Sequence, residues 1–188
     1  MEHLQDLTGK LLVAMPGMGD PRFESSVIYL CAHSNDGAMG LIINKPSREV
    51  VFDDLLKQLS IEPVQGHRDI TVFFGGPVEL GRGFVLHSAD YVSNSSTLQV
   101  DRRIGMTATL DVLEDIAQGL GPTASLLALG YSGWGPGQLE DEISSNGWMI
   151  CDAPLDLVFD EDHAGKWGAV LNANGIDPSL LSASAGRA

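Results

Sequence analysis

The stretch from Gly130 to Trp148, GYSGWGPGQLEDEISSNGW, combines residue types that could carry out chemistry. It holds five glycines, two tryptophans, a tyrosine and a run of three acids within 19 residues. Glycine-rich turns that open onto a helix often bind phosphate through backbone N–H groups. The Glu-Asp-Glu run instead suggests acid–base or metal chemistry. The stretch is therefore the first candidate for a functional site.

The spacing of these glycines argues against a phosphate-binding loop. A P-loop requires a lysine and a hydroxyl residue directly after its last glycine, where this chain has Gln138-Leu139. The segment Gly133–Gly137 also lacks the G-x-G-x-x-G spacing of a dinucleotide site. A helix that begins near Pro136 would place Glu140–Glu142 in its first turns, where the acids stabilise the helix dipole but repel a bound anion.

Ser132 suggests an alternative hypothesis, in which the protein is an enzyme with a serine nucleophile. Gly130–Gly133 begins like the nucleophile elbow G-x-S-x-G, but Trp134 replaces the final glycine. An activated serine needs a base within reach, and no pattern places one beside it. The alternative function is therefore a small hydrolase or transferase that uses Ser132, His87 or the acids near Glu140.

Two structural interpretations of the stretch stay open. In the first, the glycines let the chain turn sharply after Leu129, and Tyr131 and Trp134 pack over the following helix. In the second, these aromatic residues line a ligand pocket with apolar and polar walls, to which Gln138 and Glu140 contribute.

A further candidate pair, Asn44-Lys45, ends a predicted strand just before Pro46. Proteins often present functional groups on the loops where strands end. In the alternative, Asn44 hydrogen-bonds a turn and Lys45 is solvated. The candidate ligand-binding residues are Asn44, Lys45, Tyr131, Trp134, Gln138 and Glu140.

No spacing in the sequence is typical of a metal or cofactor site, and neither is predicted. The chain lacks C-x-x-C and H-E-x-x-H. The segment 160–163 (Asp-Glu-Asp-His) concentrates possible ligands, but a solvated turn before a helix explains the same residues. Cys31 and Cys151 lie far apart in apolar runs, which is typical of buried thiols that form no disulfide.

The charge composition disfavours direct nucleic-acid binding. Lys and Arg total 11 against 25 Asp and Glu, for a formal net charge of −14, and Arg102-Arg103 is the only adjacent basic pair. A nucleic-acid binder needs a basic face that releases phosphate counterions. A protein or small-molecule partner is therefore expected instead.

The sequence also predicts a cytoplasmic protein without membrane association. The first seven residues, MEHLQDL, carry acids where a signal peptide carries positive charge. No apolar run approaches the roughly 18 residues that a membrane-spanning helix requires.

The elements that must position these residues alternate irregularly between strands and helices. Hairpins occur beside strand–helix pairs, so the sequence predicts a mixed α+β fold in one domain over residues 1–188, with 182–188 as a frayed tail. Strands are predicted at 10–15, 26–33, 40–44, 70–74, 83–87, 97–100, 124–129, 148–151 and 155–159. Helices are predicted at 51–59, 109–118 and 163–173, and from 136 or 137 onward.

Five segments in chain order resemble the bacterial YqgE/AlgH family. They are Met15–Phe23 (MPGMGDPRF), Gly37–Pro46 (GAMGLIINKP), Gly75–Val78 (GGPV), Gly83–His87 (GFVLH) and Gly130–Glu140 (GYSGWGPGQLE). The resemblance spans nearly the whole chain. It implies a compact α+β domain of coiled and branching β-sheets flanked by helices.

The resemblance implies less about activity, because the family is essentially uncharacterised. It is described as a group of transcriptional regulators linked to alginate production, and it supplies no catalytic residues. Combined with the acidic composition, it leads us to expect a cytosolic, non-enzymatic regulatory protein. Such a protein would act through a protein or small-molecule partner rather than by direct DNA contact. The hydrolase or transferase stays the alternative, and the oligomeric state is not predicted.

Overall fold

A computed structural model describes residues 5–17, 19–93 and 97–181 of the chain. These residues form nine strands and five α-helices. The strands are β1 (Leu11–Ala14), β2 (Val27–Ser34), β3 (Gly37–Ile42), β4 (Val72–Phe74), β5 (Val78–Ser88), β6 (Leu98–Gln99), β7 (Ile104–Thr107), β8 (Ser125–Trp134) and β9 (Trp148–Cys151). The helices are α1 (Phe52–Gln58), α2 (Leu110–Ala117), α3 (Gln138–Ser144), α4 (Leu155–Val158) and α5 (Lys166–Ala173). The predicted frayed tail lies outside the described residues.

The sheet branches at β8, which pairs with three other strands. Strands follow the order β6-β7-β5-β8-β3-β2-β1-β9, and β4 pairs with β8 away from this path. The first half of β8 lies between β4, in parallel, and β5, in antiparallel. Its second half pairs with β3, where Trp134 lies opposite Ala38. The mixed α+β fold with branching sheets is thus confirmed.

Glycines permit the close approach of two chain segments at this branch. A Cβ on Gly75 would lie 2.3 Å from the carbonyl oxygen of Gly130. A Cβ on Gly76 would lie 2.1 Å from the carbonyl carbon of Tyr131. Gly130 has a left-handed φ of 75°, which an L side chain rarely adopts. The expected sharp turn after Leu129 is therefore absent: β8 kinks at Gly130 and continues.

Both faces of β1 are buried, so that alternate residues of this strand enter different parts of the core. Leu11 and Val13 of β1 pack in a cluster with α4 and α5, whereas Leu12 and Ala14 pack on the opposite face with α3. A third cluster lies beneath α1 and α2. The helices therefore cover the coiled sheet from several sides.

Most predicted elements are present, and besides the continuation of β8 two strand assignments differ from the prediction. The predicted strand at 155–159 is the short helix α4, whose Val158 is fully buried. β7 was not predicted, because its four residues, IGMT, include a glycine and show no clear alternation of apolar and polar residues. Among the described residues the longest helices contain eight residues, and none has the length and apolar character needed to cross a membrane.

Candidate functional site

The glycine-rich stretch forms one wall of an open groove on the sheet, which we call the β8 groove. Its volume is about 720 Å³, and its other walls are the β2–β3 hairpin and the start of β5. Residues that line it include His33, Asp36, Met39, Arg82, Phe84 and Tyr131. Pairing between β5 and β8 shifts register between Val78 and Gly83, so that residues 79–82 bulge out beside the groove. Strands distant in sequence thus build a single concave surface.

Two aromatic residues form the floor of the groove, and a cation lies at its edge. The rings of Phe84 and Tyr131 meet edge to face, with centroids 5.8 Å apart. The Arg82 guanidinium lies 5.0 Å from the centroid of the Phe84 ring, within the range of a cation–π contact. Arg82 also contacts the Glu79 carboxylate at 3.4 Å. The floor is therefore apolar, with charges of both signs at its edge.

A histidine–glutamate pair connects the β2–β3 hairpin wall of the groove to α3. The Nε2 atom of His33 lies 2.5 Å from the Glu140 carboxylate, and the His33 side chain is only 1 % exposed. The backbone N–H of Leu7 donates to His33 Nδ1, so the proton of the neutral ring must be on Nε2, which donates to Glu140. The hydrogen bond from His33 lowers the pKa of Glu140. The pair therefore places a fixed negative charge near the groove.

Trp134 and Gln138 hold the glycine-rich stretch in place. The Trp134 side chain is 7 % exposed, and its ring meets that of Trp148 edge to face at 6.0 Å. Both indole N–H groups donate to one Glu142 oxygen, at 3.2 and 3.0 Å. The side-chain oxygen of Gln138 accepts from the Gly135 N–H. Trp134 is one of the residues that line the groove, but its ring packs in the core.

Asn44 and Lys45 lie away from the groove and bind a neighbouring loop. The Asn44 side chain accepts from the Val27 N–H at 2.9 Å and donates to the Ser25 carbonyl at 2.8 Å. The Lys45 ammonium donates to the Arg22 carbonyl at 2.9 Å. Partial burial lowers the pKa of Lys45. The structure therefore separates this pair from Tyr131 and Glu140.

Ser132 and His87 are both fully buried. The Ser132 hydroxyl donates to the Gly75 carbonyl at 3.2 Å. His87 Nδ1 donates to the Ser88 carbonyl, which leaves Nε2 to accept from the Thr107 hydroxyl. Burial lowers the pKa of His87 and keeps the ring neutral. Within the described part of the chain these contacts give Ser132 no base, and the enzymatic alternative gains no geometric support.

A second cavity, which we call the α5 cavity, was not predicted. It has a volume of about 420 Å³ and lies between β4, the start of β8 and the α4–α5 segment. Its lining includes Arg68, Phe73, Ser125, Asp160, His163 and Lys166. From the sequence, residues 160–163 were interpreted as a solvated turn before a helix. A signal existed nevertheless: Lys166 lies one helical turn before the buried Val170, a position that favours an apolar residue.

Lys166 is the unusual residue of this cavity, because it is 2 % exposed. Its ammonium donates to the carbonyl oxygens of Ile43 and Val158, at 3.2 and 3.0 Å. Burial lowers its pKa to about 8, and the nearby charges of Asp160 and Asp162 oppose that shift. Among the described residues, no group of three or more His, Cys, Asp or Glu side chains could hold a metal ion.

The fold defines an α+β protein built on one branched sheet. A family model described as AlgH-like matches residues 11–179. The chain therefore belongs to the AlgH-like family, and the resemblance to YqgE/AlgH proteins is confirmed.

Relatives and solved structures agree with this assignment. A UPF0301 protein of Cereibacter sphaeroides is 56% identical over 183 residues, covering 97% of this chain and 100% of the relative. A UPF0301 protein of Ruegeria pomeroyi is 59% identical over 184 residues, with the same coverage. The solution structure of AlgH from Pseudomonas aeruginosa matches with a TM-score of 0.78, 40% identity and 96% coverage of both chains. A Corynebacterium diphtheriae protein of 24% identity, covering 92% of this chain and 90% of its own, shares the fold with a TM-score of 0.70.

Proposed function

We propose that this chain is a cytoplasmic regulatory protein that binds a segment of a partner protein in the β8 groove. It neither catalyses a reaction nor contacts DNA directly. The observation that carries this proposal is the floor of the groove, where Met39, Phe84 and Tyr131 form an apolar surface between charged edges. Apolar surface that is rimmed by polar residues is typical of interaction sites.

A protein segment suits the groove better than an enclosed small molecule. Beside the floor, Val78 and Leu80 of β5 are 37 % and 55 % exposed, so the apolar surface continues beyond the groove. Glu79, between them, has a left-handed φ of 50°, a strained conformation that holds the bulge outward. An extended apolar surface fits an aromatic or aliphatic anchor with flanking chain on either side.

Charge indicates that the partner segment is basic. Asp36, Glu79 and Glu140 lie at or near the groove, and the whole chain has a formal net charge of −14. Such a field accelerates association with basic partners and repels nucleic-acid phosphates. Lys or Arg residues beside the apolar anchor would meet these carboxylates.

Two further observations support the regulatory and cytoplasmic parts of the proposal. The YqgE/AlgH resemblance implies a transcriptional regulatory role, which a protein can fulfil by binding another regulator. Cys31 and Cys151 are both free and buried, as is usual in a reducing compartment. Burial raises the pKa of the Cys31 thiol to about 12, which makes it inert at neutral pH.

Peptide binding tests the proposal. A fluorescent peptide library would present one Phe, Leu or Trp anchor flanked by Lys and Arg, with acid-flanked peptides of the same anchors for comparison. We expect basic-flanked peptides to bind at least about tenfold more tightly, measured by anisotropy. Tyr131→Ala should weaken that binding about tenfold, as truncation of an interface anchor does.

Leu120→Ala is the matched control, because Leu120 is 68 % exposed and lies outside the groove. Its affinity for the peptides should equal that of the wild type. Equal binding of acidic and basic peptides, or an unchanged affinity of the Tyr131→Ala protein, would contradict the proposal.

A further inference from the structure

We infer that the α5 cavity is a binding site for a small zwitterionic ligand of the α-amino-acid type. The inference concerns a different cavity from the β8 groove and does not depend on the proposed function. It rests on buried hydrogen-bonding atoms without partners, on the arrangement of charge from the inner wall to the rim, and on the size of the cavity.

Two polar atoms at the inner wall have no hydrogen-bond partner among the described residues. They are the Ser125 hydroxyl oxygen and His163 Nδ1, and both are shielded from solvent. A buried polar atom without a hydrogen-bond partner is unfavourable, so native proteins usually pair such atoms with water or a ligand. Both residues line the α5 cavity. A ligand with acceptor oxygens would satisfy them.

The Lys166 ammonium adds a cationic donor to the same wall. It carries three N–H bonds, of which the carbonyls of Ile43 and Val158 accept two. The third has no assigned partner within the described ranges. Because Lys166 is buried, its charge would gain from a carboxylate nearby. The inner wall therefore fits the carboxylate of a ligand.

The rim of the cavity has the opposite character. Asp69, Asp160 and Glu161 are exposed there. Arg68 also lies at the rim, but its guanidinium donates to the carbonyl oxygens of Pro122 and Thr123. The three carboxylates fit an ammonium group. A ligand that carries both charges matches the two ends at once, whereas a purely anionic ligand would meet the rim acids and the net charge of −14.

The size of the α5 cavity and its apolar lining suit a bound amino acid. The volume of about 420 Å³ falls in the lower part of the range of about 300–1,000 Å³ for small-molecule sites. Phe73, Leu126 and Val158 are buried and supply apolar surface for a side chain. The His163 ring meets Phe73 edge to face at 4.8 Å, which fixes the orientation of the imidazole.

Calorimetry and thermal unfolding with each of the twenty standard amino acids test the inference. We expect at least one to raise the Tm and to bind with a Kd below about 1 mM. For that amino acid, the amine that lacks its carboxylate and the acid that lacks its amino group should each bind at least about tenfold more weakly. Failure of every amino acid at 10 mM, or equal binding of either analogue, would overturn the inference.

Substitutions then locate the site. Ser125→Ala and Lys166→Met should each weaken binding at least about tenfold. Ser145→Ala and Lys57→Met alter exposed residues of the same types outside the cavity and should leave affinity unchanged. If Lys166→Met does not fold, as judged by circular dichroism, the Ser125→Ala protein decides the matter. An unchanged affinity of a folded Ser125→Ala protein would overturn the inference.

Discussion

Tyr131 and Trp134 belong to one short stretch but lie on opposite faces of β8. Side chains of a strand alternate between its faces, so residues an odd number apart point to opposite sides. Tyr131 and Gly133 therefore border the β8 groove, whereas Ser132 and Trp134 are buried. Both interpretations of the sequence, a packed turn and a ligand pocket, put the two aromatics on one surface, because neither assigned this stretch to a strand.

Trp134→Ala should therefore destabilise the protein heavily. It removes a buried ring, an edge-to-face contact with Trp148 and a hydrogen bond to Glu142. We expect a loss of about 3–5 kcal/mol in the free energy of unfolding, measured with denaturant. Glu140→Gln is the contrasting variant, since an amide oxygen can still accept from His33, and about 1 kcal/mol or less is expected. A Trp134→Ala protein as stable as the wild type would contradict the assignment of this ring to the core.

His87 should make stability fall in mild acid. Burial lowers its pKa from an ordinary value of 6.5, so the unfolded chain takes up a proton at a higher pH than the folded one. The contribution of His87 is fully present above about pH 6.5 and diminishes as pH falls through that value. The difference in unfolding free energy between wild type and His87→Gln should shrink between pH 8 and pH 5.5. A constant difference across that range would show that His87 is not held neutral.

At the scale of elements, local signals predicted the parts of the fold that depend on local interactions. The β2–β3 hairpin follows from Asn35-Asp36-Gly37, and α1 and α2 from their apolar periodicity. The continuation of β8 through Gly130 depends instead on pairing with β3 and on contact with Gly75-Gly76. Such contacts join segments that are distant in sequence, and no local pattern reports them.

Gly75→Ala should test that branch point. The new Cβ would lie 2.3 Å from the Gly130 oxygen and 2.8 Å from the Ala128 Cβ, so the two segments must separate. We expect a loss of about 1–3 kcal/mol or more in denaturant unfolding, as for other overpacked sites. Gly81→Ala is the control, because a Cβ there meets no atom within 4 Å and should change stability by about 0.5 kcal/mol or less. Equal effects of the two substitutions would contradict the close packing at β8.

At the scale of the whole molecule, charge predicts weak affinity for nucleic acid. Twenty-five acids oppose 11 bases, and Arg102-Arg103 is the only adjacent basic pair in the sequence. Titration of duplex DNA of random sequence at physiological salt should give only weak binding, with a shallow dependence on salt. A submicromolar affinity with a steep salt slope would show that the protein contacts DNA directly.

The two cavities were only partly predictable, because elements that are distant in the sequence come together to form them. Tyr131 and Glu140 were candidates from the sequence because they belong to one conspicuous stretch. Met39 and Phe84 reach the groove only because β3 and β5 flank β8 from distant parts of the chain. Lys166 was missed for the same reason, since its cavity forms where α5 meets β4 and β8. Strand β8 contributes to both sites, with Ser125 near one end and Tyr131 near the other.

Site-specific photo-crosslinking in the native bacterium tests whether the β8 groove binds a basic segment of a partner protein. Benzoylphenylalanine would replace Tyr131 in the groove and, as a control, Leu120 on the exposed surface, and adducts would be identified by mass spectrometry. A protein adduct is expected from position 131 alone, joined to an apolar residue with basic neighbours, and abolished by Asp36→Lys, which reverses a negative charge that lines the groove. Equal adducts from both positions, no protein adduct from position 131, or adducts to DNA would contradict the proposal.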